Sequence, residues 1–266
     1  IHGRAVTSKA RLALDAEGDF LALDVDMVAD MGAYLSSGGP NASPNAASTA
    51  MGGVYRIPAI HMRSRGIFTN TAPVDAYRGA GRPEATYLLE RLVSRCGWDM
   101  GLAQDEIRRR NFITEFPYQT PVALQYDVGD FHALLKRGNE LAEVNTFEQR
   151  KTASAAKGLL RGIGYSCYIE ACGLAPSNVA GALGARAGLF ECGEVRVHPT
   201  GSVTVFTGSH SHGQGHETTF AQVVAARLGI SVDAVDVVHG DTGRVPFGMG
   251  TYGSRSMSVG GTAIMK

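Results

Sequence analysis

Three glycine-rich segments constrain this chain more than any other feature: Arg78-Gly79-Ala80-Gly81-Arg82, Gly213-Gln214-Gly215, and Gly248-Met249-Gly250-Thr251-Tyr252-Gly253-Ser254-Arg255-Ser256. The first two stand directly before stretches with helical periodicity. A helix start leaves backbone N–H groups unpaired with a partial positive charge behind them, and glycine lets an anion approach without a Cβ in the way. Arg78, Arg82 and Arg255 add fork-shaped donors that match phosphate oxygens. The chain holds 34 Gly in 266 residues, about twice the usual ~7%, with no collagen period. That excess belongs to tight turns and close backbone approaches. The third segment fits G-x-G-x-x-G literally, yet no βαβ unit follows it and no acidic ribose partner stands where one is needed, so as a dinucleotide fingerprint it is weak. Any one segment is equally compatible with ordinary turns and helix caps. The three together favour anion cradles.

Charge excludes several classes of partner. With 25 Lys+Arg against 25 Asp+Glu, there is no electrostatic footprint for nucleic acid or an anionic membrane. The longest uncharged stretch, Met31 to Tyr55, is built from Gly, Ser, Asn, Ala and Pro rather than hydrocarbon side chains, and so is no membrane span. Four cysteines without metal-ligand spacing, and no signal peptide, point to a reducing cytoplasm. The chain starts without Met and stops just after the apolar run Val259 to Ile264. The expectation is a piece of a longer protein.

Periodicity predicts an α+β fold of two subdomains with mixed sheets and packed helices, residues 1–157 and 158–266, divided near the basic, small-residue stretch Arg150 to Lys157. Arg11 to Val28 reads as a hairpin about the turn Ala16-Glu17-Gly18-Asp19, with Leu21, Leu23, Val25 and Met27 on the buried face. Gly32 to Gly53 lacks both periods and reads as an ordered loop or a closely packed small-residue helix. Pro83 opens a helix from Glu84 to about Cys96 with Gly97 as its stop; a second covers Gln104 to Arg110; a third starts at Asp130 as N-cap. Further on, Glu191 to His198 and Ser202 to Thr207 make a second hairpin, Glu217 to Leu228 an amphipathic helix ended by Gly229, and Val235 to His239 a strand.

The remaining chemistry-bearing residues have bland readings to weigh. His210, His212 and His216 cluster at the second glycine segment, but Phe220 occupies the place of a second helical zinc ligand, so a zinc hydrolase ranks last. Glu217 and Asp241 read as solvated carboxylates, and Arg108-Arg109-Arg110 as a solvated helix end. Glu170 lies in an otherwise uncharged run and is either paired or working. Cys167 and Cys172 read as small buried hydrophobes rather than nucleophiles.

The strings Asn70 to Glu84, Gly213-Gln214-Gly215-His216-Glu217-Thr218 and Gly250 to Ser256 closely resemble the molybdenum-binding large subunit of the xanthine oxidase family. The similarity is greatest to its aerobic carbon monoxide dehydrogenase-like large chains. Supporting text such as Asp105 to Phe112 and Phe116 to Pro121 extends the resemblance over essentially the whole chain. The resemblance implies a molybdopterin cofactor, in the cytosine dinucleotide form, carrying molybdenum. It places Arg78, Gly79 and Ala80 on the loop facing the metal, Gly213, Gln214, Gly215 and His216 against the pterin side, and Thr251, Tyr252, Gly253, Ser254, Arg255 and Ser256 around the pyrophosphate and nucleotide. Tyr168 and Glu170 would form substrate wall, with no direct metal ligand and no catalytic residue inside this piece. It further implies hydroxylation of a heteroaromatic or aldehyde C–H carbon with water-derived oxygen, as in aldehyde oxidases, and electrons leaving through an iron–sulfur small subunit and an FAD medium subunit. The full protein is then expected to be a dimer of heterotrimers, and this piece alone inactive. Carbon monoxide dehydrogenases of the family hold copper on a Cys directly after that Arg; here the place is Gly79, which argues against carbon monoxide as substrate. The substrate-clamping Arg of xanthine-type enzymes has no counterpart before Val54 to Pro58, where Ala46-Ala47 stand, which argues against a purine. The alternative, from a different class, is a non-catalytic nucleotide- or phosphate-binding module.

Overall fold

The structure, a computed structural model, describes residues 5–173 and 189–266. They form two compact units, Ile1–Ile169 and Glu170–Lys266.

The first unit begins as its alternation requires. Strands β1 (Val6–Leu14) and β2 (Phe20–Gly32) pair antiparallel about the turn at Gly18, whose φ of 94° is a glycine conformation. Leu23, Val25 and Met27 are buried as expected, but Leu21 is 47% exposed. The register explains the difference. Ala13 faces Ala22 and Leu14 faces Phe20, so Leu21 is the extra residue of a bulge and Phe20 takes the inward place. Strand β3 (Ala59–Phe68), which the sequence reading passed over, pairs parallel with β2 and completes a sheet in the order β1-β2-β3. The solvent side of the sheet is zipped across all three strands: Asp24 of β2 accepts from Arg11 of β1 at 2.6 Å and meets His61 of β3 at 2.7 Å, and Asp26 pairs with Arg63 and Arg65 of β3. These partners hold both carboxyls below their ordinary range, His61 acting most strongly on Asp24 and Arg63 on Asp26.

Helix α1 (Arg82–Met100) covers the inner sheet face with Ala85, Leu89 and Val93. It runs past the expected stop: Gly97 lies inside it, buried, because a Cβ there would stand 2.7 Å from the Gln104 amide and 3.3 Å from Ile107. The left-handed Gly101 (φ 68°) ends it instead. Glycine here serves close helix packing, and the true cap lies one turn on. Helix α2 (Gln104–Asn111) follows, then the short antiparallel pair β4 (Tyr118–Gln119) and β5 (Gln125–Tyr126), α3 (Phe131–Leu141) and α4 (Phe147–Ala155). Asp130 caps α3 as expected, its carboxylate accepting from Ala133 N at 2.9 Å. Asp130→Ala should cost about 1 kcal/mol in thermal denaturation, because that N–H loses its partner.

In the second unit, β6 (Gly193–Val197) and β7 (Val203–Thr207) form the expected hairpin, and β8 (Val235–Val238) lies parallel to β7. The sheet order is β6-β7-β8. Helix α5 (His216–Leu228), closed by left-handed Gly229, connects β7 to β8 and buries Phe220 and Val224 on Val203 and Val205. A single βαβ passage within mixed sheets keeps the fold α+β. Among the described residues no helix is long and apolar enough to cross a membrane.

Candidate functional site

In the first unit, Arg78, Gly79 and Ala80 form an exposed turn that enters α1. The turn is internally bonded: Ala80 N donates to Tyr77 O at 2.7 Å and Arg82 N to Gly79 O at 3.1 Å. Glu84 closes a capping box, one carboxylate oxygen accepting from Gly81 N at 3.1 Å and the other from Ser43 Oγ at 3.0 Å. Gly81, at φ 89°, has no room for a Cβ, which would stand 2.5 Å from Ala47 N and 2.7 Å from Ala42 O. The segment 32–53 therefore does contain a closely packed small-residue helix, a π-helical turn Asn41–Ala46 running into Ala47–Thr49. The start of α1 is thus capped by its own Glu84, and what this segment turns outward is Arg78 and Gly79. Tyr168 is exposed near the end of the unit.

In the second unit Gly208, just past the end of β7, and Gly248, which opens the third glycine segment, approach so closely that a Cβ on either would lie 2.1 Å from the Cα of the other, and a Cβ on Gly260 would stand 2.6 Å from Ser209 Oγ. His216 is buried at the start of α5, its Nδ1 3.3 Å from Ser209 O and its ring 5.4 Å from Phe220. The cradle itself is open. Gly213 (φ 97°), Gly215 (φ 79°) and Gly250 (φ 88°) each have nothing within 4 Å of a would-be Cβ, Gly213 and Gln214 are exposed, and the N-cap Gly215 brings no side-chain cap to α5, where the Glu217 carboxylate takes only its own N–H. The remaining helical N–H groups beside bare glycines are an anion site.

Arg255 is placed differently from its sequence reading. It is buried, and its guanidinium bonds Glu191 at 2.8 Å, Phe190 O at 2.9 Å and Gly250 O at 3.0 Å. Its fork therefore props the segment from within, while Thr251, Tyr252, Gly253 and Ser254 form the surface. Ser254 holds a left-handed φ of 53°, and its carbonyl accepts from Gly173 N at 2.9 Å. Thr251 Oγ1 accepts from Ser256 Oγ at 3.1 Å. Glu191, read as the first strand residue, precedes β6 and sits buried beneath the Gly208–Gly248 contact, with its Oε1 2.8 Å from a would-be Gly208 Cβ. A charged residue opening a strand pattern gave no sign of this partner.

His210, His239 and Glu217 make a hydrogen-bonded chain. His210 Nδ1 and His239 Nδ1 lie 3.0 Å apart, and His239 Nε2 meets Glu217 Oε1 at 2.8 Å. Glu217's own backbone N–H, then His239, hold its carboxyl below the usual range. Among the described residues no three His, Cys, Asp or Glu could hold a metal ion. Cys167 is partly buried and its thiol is pushed up to about 11 by burial, as an inert thiol should be, whereas Cys172 is exposed, contrary to its reading as a buried hydrophobe. Arg108 is the other correction: it is fully buried, because helical spacing puts it on the inward face with Ile107 and Asn111, leaving Arg109 and Arg110 outside to pair with Glu106.

Comparison with known proteins gives the family. Two family descriptions, both "Molybdopterin cofactor-binding domain", match residues 1–112 and 137–266. The carbon monoxide dehydrogenase large chain of Hydrogenophaga pseudoflava is 39% identical over 260 residues, 95% of this chain and 32% of that one. The 6-hydroxypseudooxynicotine dehydrogenase complex subunit gamma of Paenarthrobacter nicotinovorans is 36% identical, over 100% of this chain and 32% of its own. The crystal structure of quinoline 2-oxidoreductase from Pseudomonas putida 86 superposes with a TM-score of 0.87 at 32% identity, covering 99% of this chain and 34% of that one. The chain spans about a third of the length of the relatives it matches. With its ordered glycine segments, its open helix-start cradle and these matches, the chain belongs to the molybdopterin-binding portion of the carbon monoxide dehydrogenase and xanthine dehydrogenase large-subunit family.

Proposed function

We propose that the chain is the cofactor-holding part of a molybdenum hydroxylase large subunit that hydroxylates a heteroaromatic or aldehyde C–H carbon with water-derived oxygen. The observation that carries this reading is the cradle at Gly213, Gln214 and Gly215, open to a ligand and backed by the start of α5, whose N-cap brings no side chain. These residues fit the pterin side of a molybdopterin cytosine dinucleotide. Backbone N–H groups at the start of α5 would meet acceptors of the pterin, which the bare glycines let approach, and the Thr251 to Ser256 segment would wrap the pyrophosphate. Arg255, locked on Glu191, orients the Thr251 to Ser256 segment that lies along the nucleotide. His216, fixed by Ser209 O, holds the helix start in place. Arg78, Gly79 and Ala80 are assigned to the metal-facing turn, and Tyr168 and Glu170 to the substrate wall. When bound, the molybdenum group supplies the two-electron redox chemistry.

Gly79, in the place where copper-holding relatives carry Cys, supports an organic substrate over carbon monoxide, as does the similarity to quinoline 2-oxidoreductase. The names "large chain" and "complex subunit gamma" belong to subunits of larger assemblies. In the same reading this chain works with an iron–sulfur subunit and an FAD subunit, in the cytoplasm, as a dimer of heterotrimers.

The experiment is elemental and nucleotide analysis of the full-length protein purified with its partner subunits. About one molybdenum and one released cytidine monophosphate per large chain are expected. Neither, in a folded preparation from a host that makes the cofactor, would leave a phosphate-binding module as the better reading. Gly213→Ala refines the test. The added Cβ meets no protein atom, so stability should fall only by the strain of a left-handed alanine, about 1 kcal/mol. Affinity for the cofactor should fall by roughly tenfold or more, about 1.4 kcal/mol, read as faster loss of molybdenum per chain on dialysis than from the parent.

A further inference from the structure

His239 stands just past the end of β8, and its two ring nitrogens reach two separate pieces of chain. Its Nδ1 lies 3.0 Å from Nδ1 of His210, on the segment leaving β7, and its Nε2 lies 2.8 Å from Oε1 of Glu217, in the first turn of α5. His210 and Glu217 bracket the loop that carries Gly213, Gln214 and Gly215. One imidazole on the neighbouring strand therefore ties both ends of the cradle loop. The left-handed Gly240 (φ 70°) makes room for this arrangement, since a Cβ there would stand 3.0 Å from His210 Nδ1. The loop's other cross-tie, from His216 Nδ1 to Ser209 O, is longer at 3.3 Å.

The protons along this chain are limited by its geometry. An imidazole nitrogen either donates or accepts. Glu217 is ionised, its carboxyl held low by its own N–H and then by His239, so it accepts and His239 Nε2 donates. Of the two facing Nδ1 atoms only one carries a proton. Two neutral rings satisfy this with His210 donating to His239. One added proton is also accommodated, with His239 donating from both nitrogens and His210 accepting. When both rings are protonated, two N–H groups face each other and the bond between them is lost. At this end of the sheet the other titratable and charged groups among the described residues are His212, whose ring lies 5.2 Å from that of His210, His216 on α5, and Asp241 and Arg244 after β8. Charge gained by His212 or His216 repels a doubly protonated pair and so acts in the same direction, while Asp241 and Arg244 are of opposite sign.

We propose that His239 is the positioning residue of the Gly213 to Gly215 cradle, and that it releases the loop when His210 and His239 are both protonated. Near neutrality the loop is tied at both ends; in acid one tie opens and the cofactor leaves faster. What the loop holds rests on the function proposed above, whereas the tie itself does not.

The test uses the full-length large chain in its native complex, at about pH 7.5 and about pH 5, on either side of the ordinary histidine value. Two quantities are followed: molybdenum lost on dialysis, and hydrogen exchange of amides 211–217 relative to free-peptide rates at the same pH. In the parent both should rise roughly tenfold on acidification, the scale of one hydrogen bond to a charged group. In His239→Phe both should already be fast at the higher pH and change less than about twofold at the lower, because the titrating tie is gone. His210→Asn places an amide that donates or accepts without titrating, so it should stay near the parent at the higher pH and show no rise at the lower. A role in packing alone gives no such flattening. Parent loop exchange that does not respond to pH, or His210→Asn that follows the parent's profile, overturns the proposal. Loop exchange that behaves as expected in a parent without molybdenum supports the tie and overturns the cofactor reading. Should His239→Phe not fold, the parent and His210→Asn still decide.

Discussion

Arg108→Met should destabilise the first unit by roughly 3–5 kcal/mol, the usual cost of removing one partner of a buried ion pair. Arg108 is fully buried and Glu90 nearly so. The guanidinium donates to Glu90 at 2.9 Å, to Ser94 Oγ at 2.9 Å, and to both the carbonyl and the side-chain oxygen of Gln104, at 2.8 and 3.0 Å. The other Glu90 oxygen takes a short hydrogen bond from Tyr55, whose hydroxyl is raised well above its ordinary range, mainly by burial. Without Arg108 the Glu90 carboxylate is a buried charge with no cation. Adding Glu90→Gln should therefore recover most of the loss. Thermal denaturation of the three proteins is the check. An Arg108→Met protein within about 1 kcal/mol of its parent, the ceiling for an exposed pair, would mean the pair contributes no more than a surface one.

Gly248→Ala carries the second large effect, a loss of ~3 kcal/mol or more, at the upper end for overpacking. A Cβ at Gly248 would lie 2.1 Å from the Gly208 Cα and 3.0 Å from a Glu191 oxygen. Backbone cannot swing aside as a side chain tip can, so the strand exit at Gly208 and the segment leading to Ser256 must separate. That separation uncovers Glu191 and its bond to Arg255. Gly201→Ala is the control: Gly201 is also left-handed, at φ 88°, but has nothing within 4 Å, so it should lose only about 1 kcal/mol of backbone strain. Comparison of the two melting temperatures isolates the packing effect. Equal losses would mean the glycine pair is not in close contact.

Much of the fold is legible locally. The hairpin turns at Gly18 and Gly201, the Asp130 cap and the Gly229 stop each follow from a residue that only one conformation suits. Strand β3 is legible too, in the alternation of Ile60 and Met62 with His61, Arg63 and Arg65, though its parallel partner β2 lies across the intervening segment. The candidate site divides the same way. Its glycine segments are recognisable because glycine is needed wherever a phosphate meets backbone, and their order carries the family. What the pattern does not carry is which donors point out. Arg255 and Arg78 are the same residue type beside the same kind of turn, yet one is buried on Glu191 and the other stands on an exposed turn.

The sequence by itself determined the secondary-structure punctuation, the α+β class and the order of the three glycine segments, since each is set by the conformational limits of a few residues and their near neighbours. Only the tertiary structure decided that Arg108 turns inward, that Gly97 serves packing rather than termination, that Leu21 yields its place to Phe20, and that Gly208 and Gly248 close over Glu191. Each depends on an atom from a distant part of the chain: Glu90 for Arg108, Gln104 for Gly97, the β1 register for Leu21, and one glycine for the other. Burial of a charge or the loss of a Cβ is favourable only where such a partner arrives, and periodicity along a single segment contains no record of it.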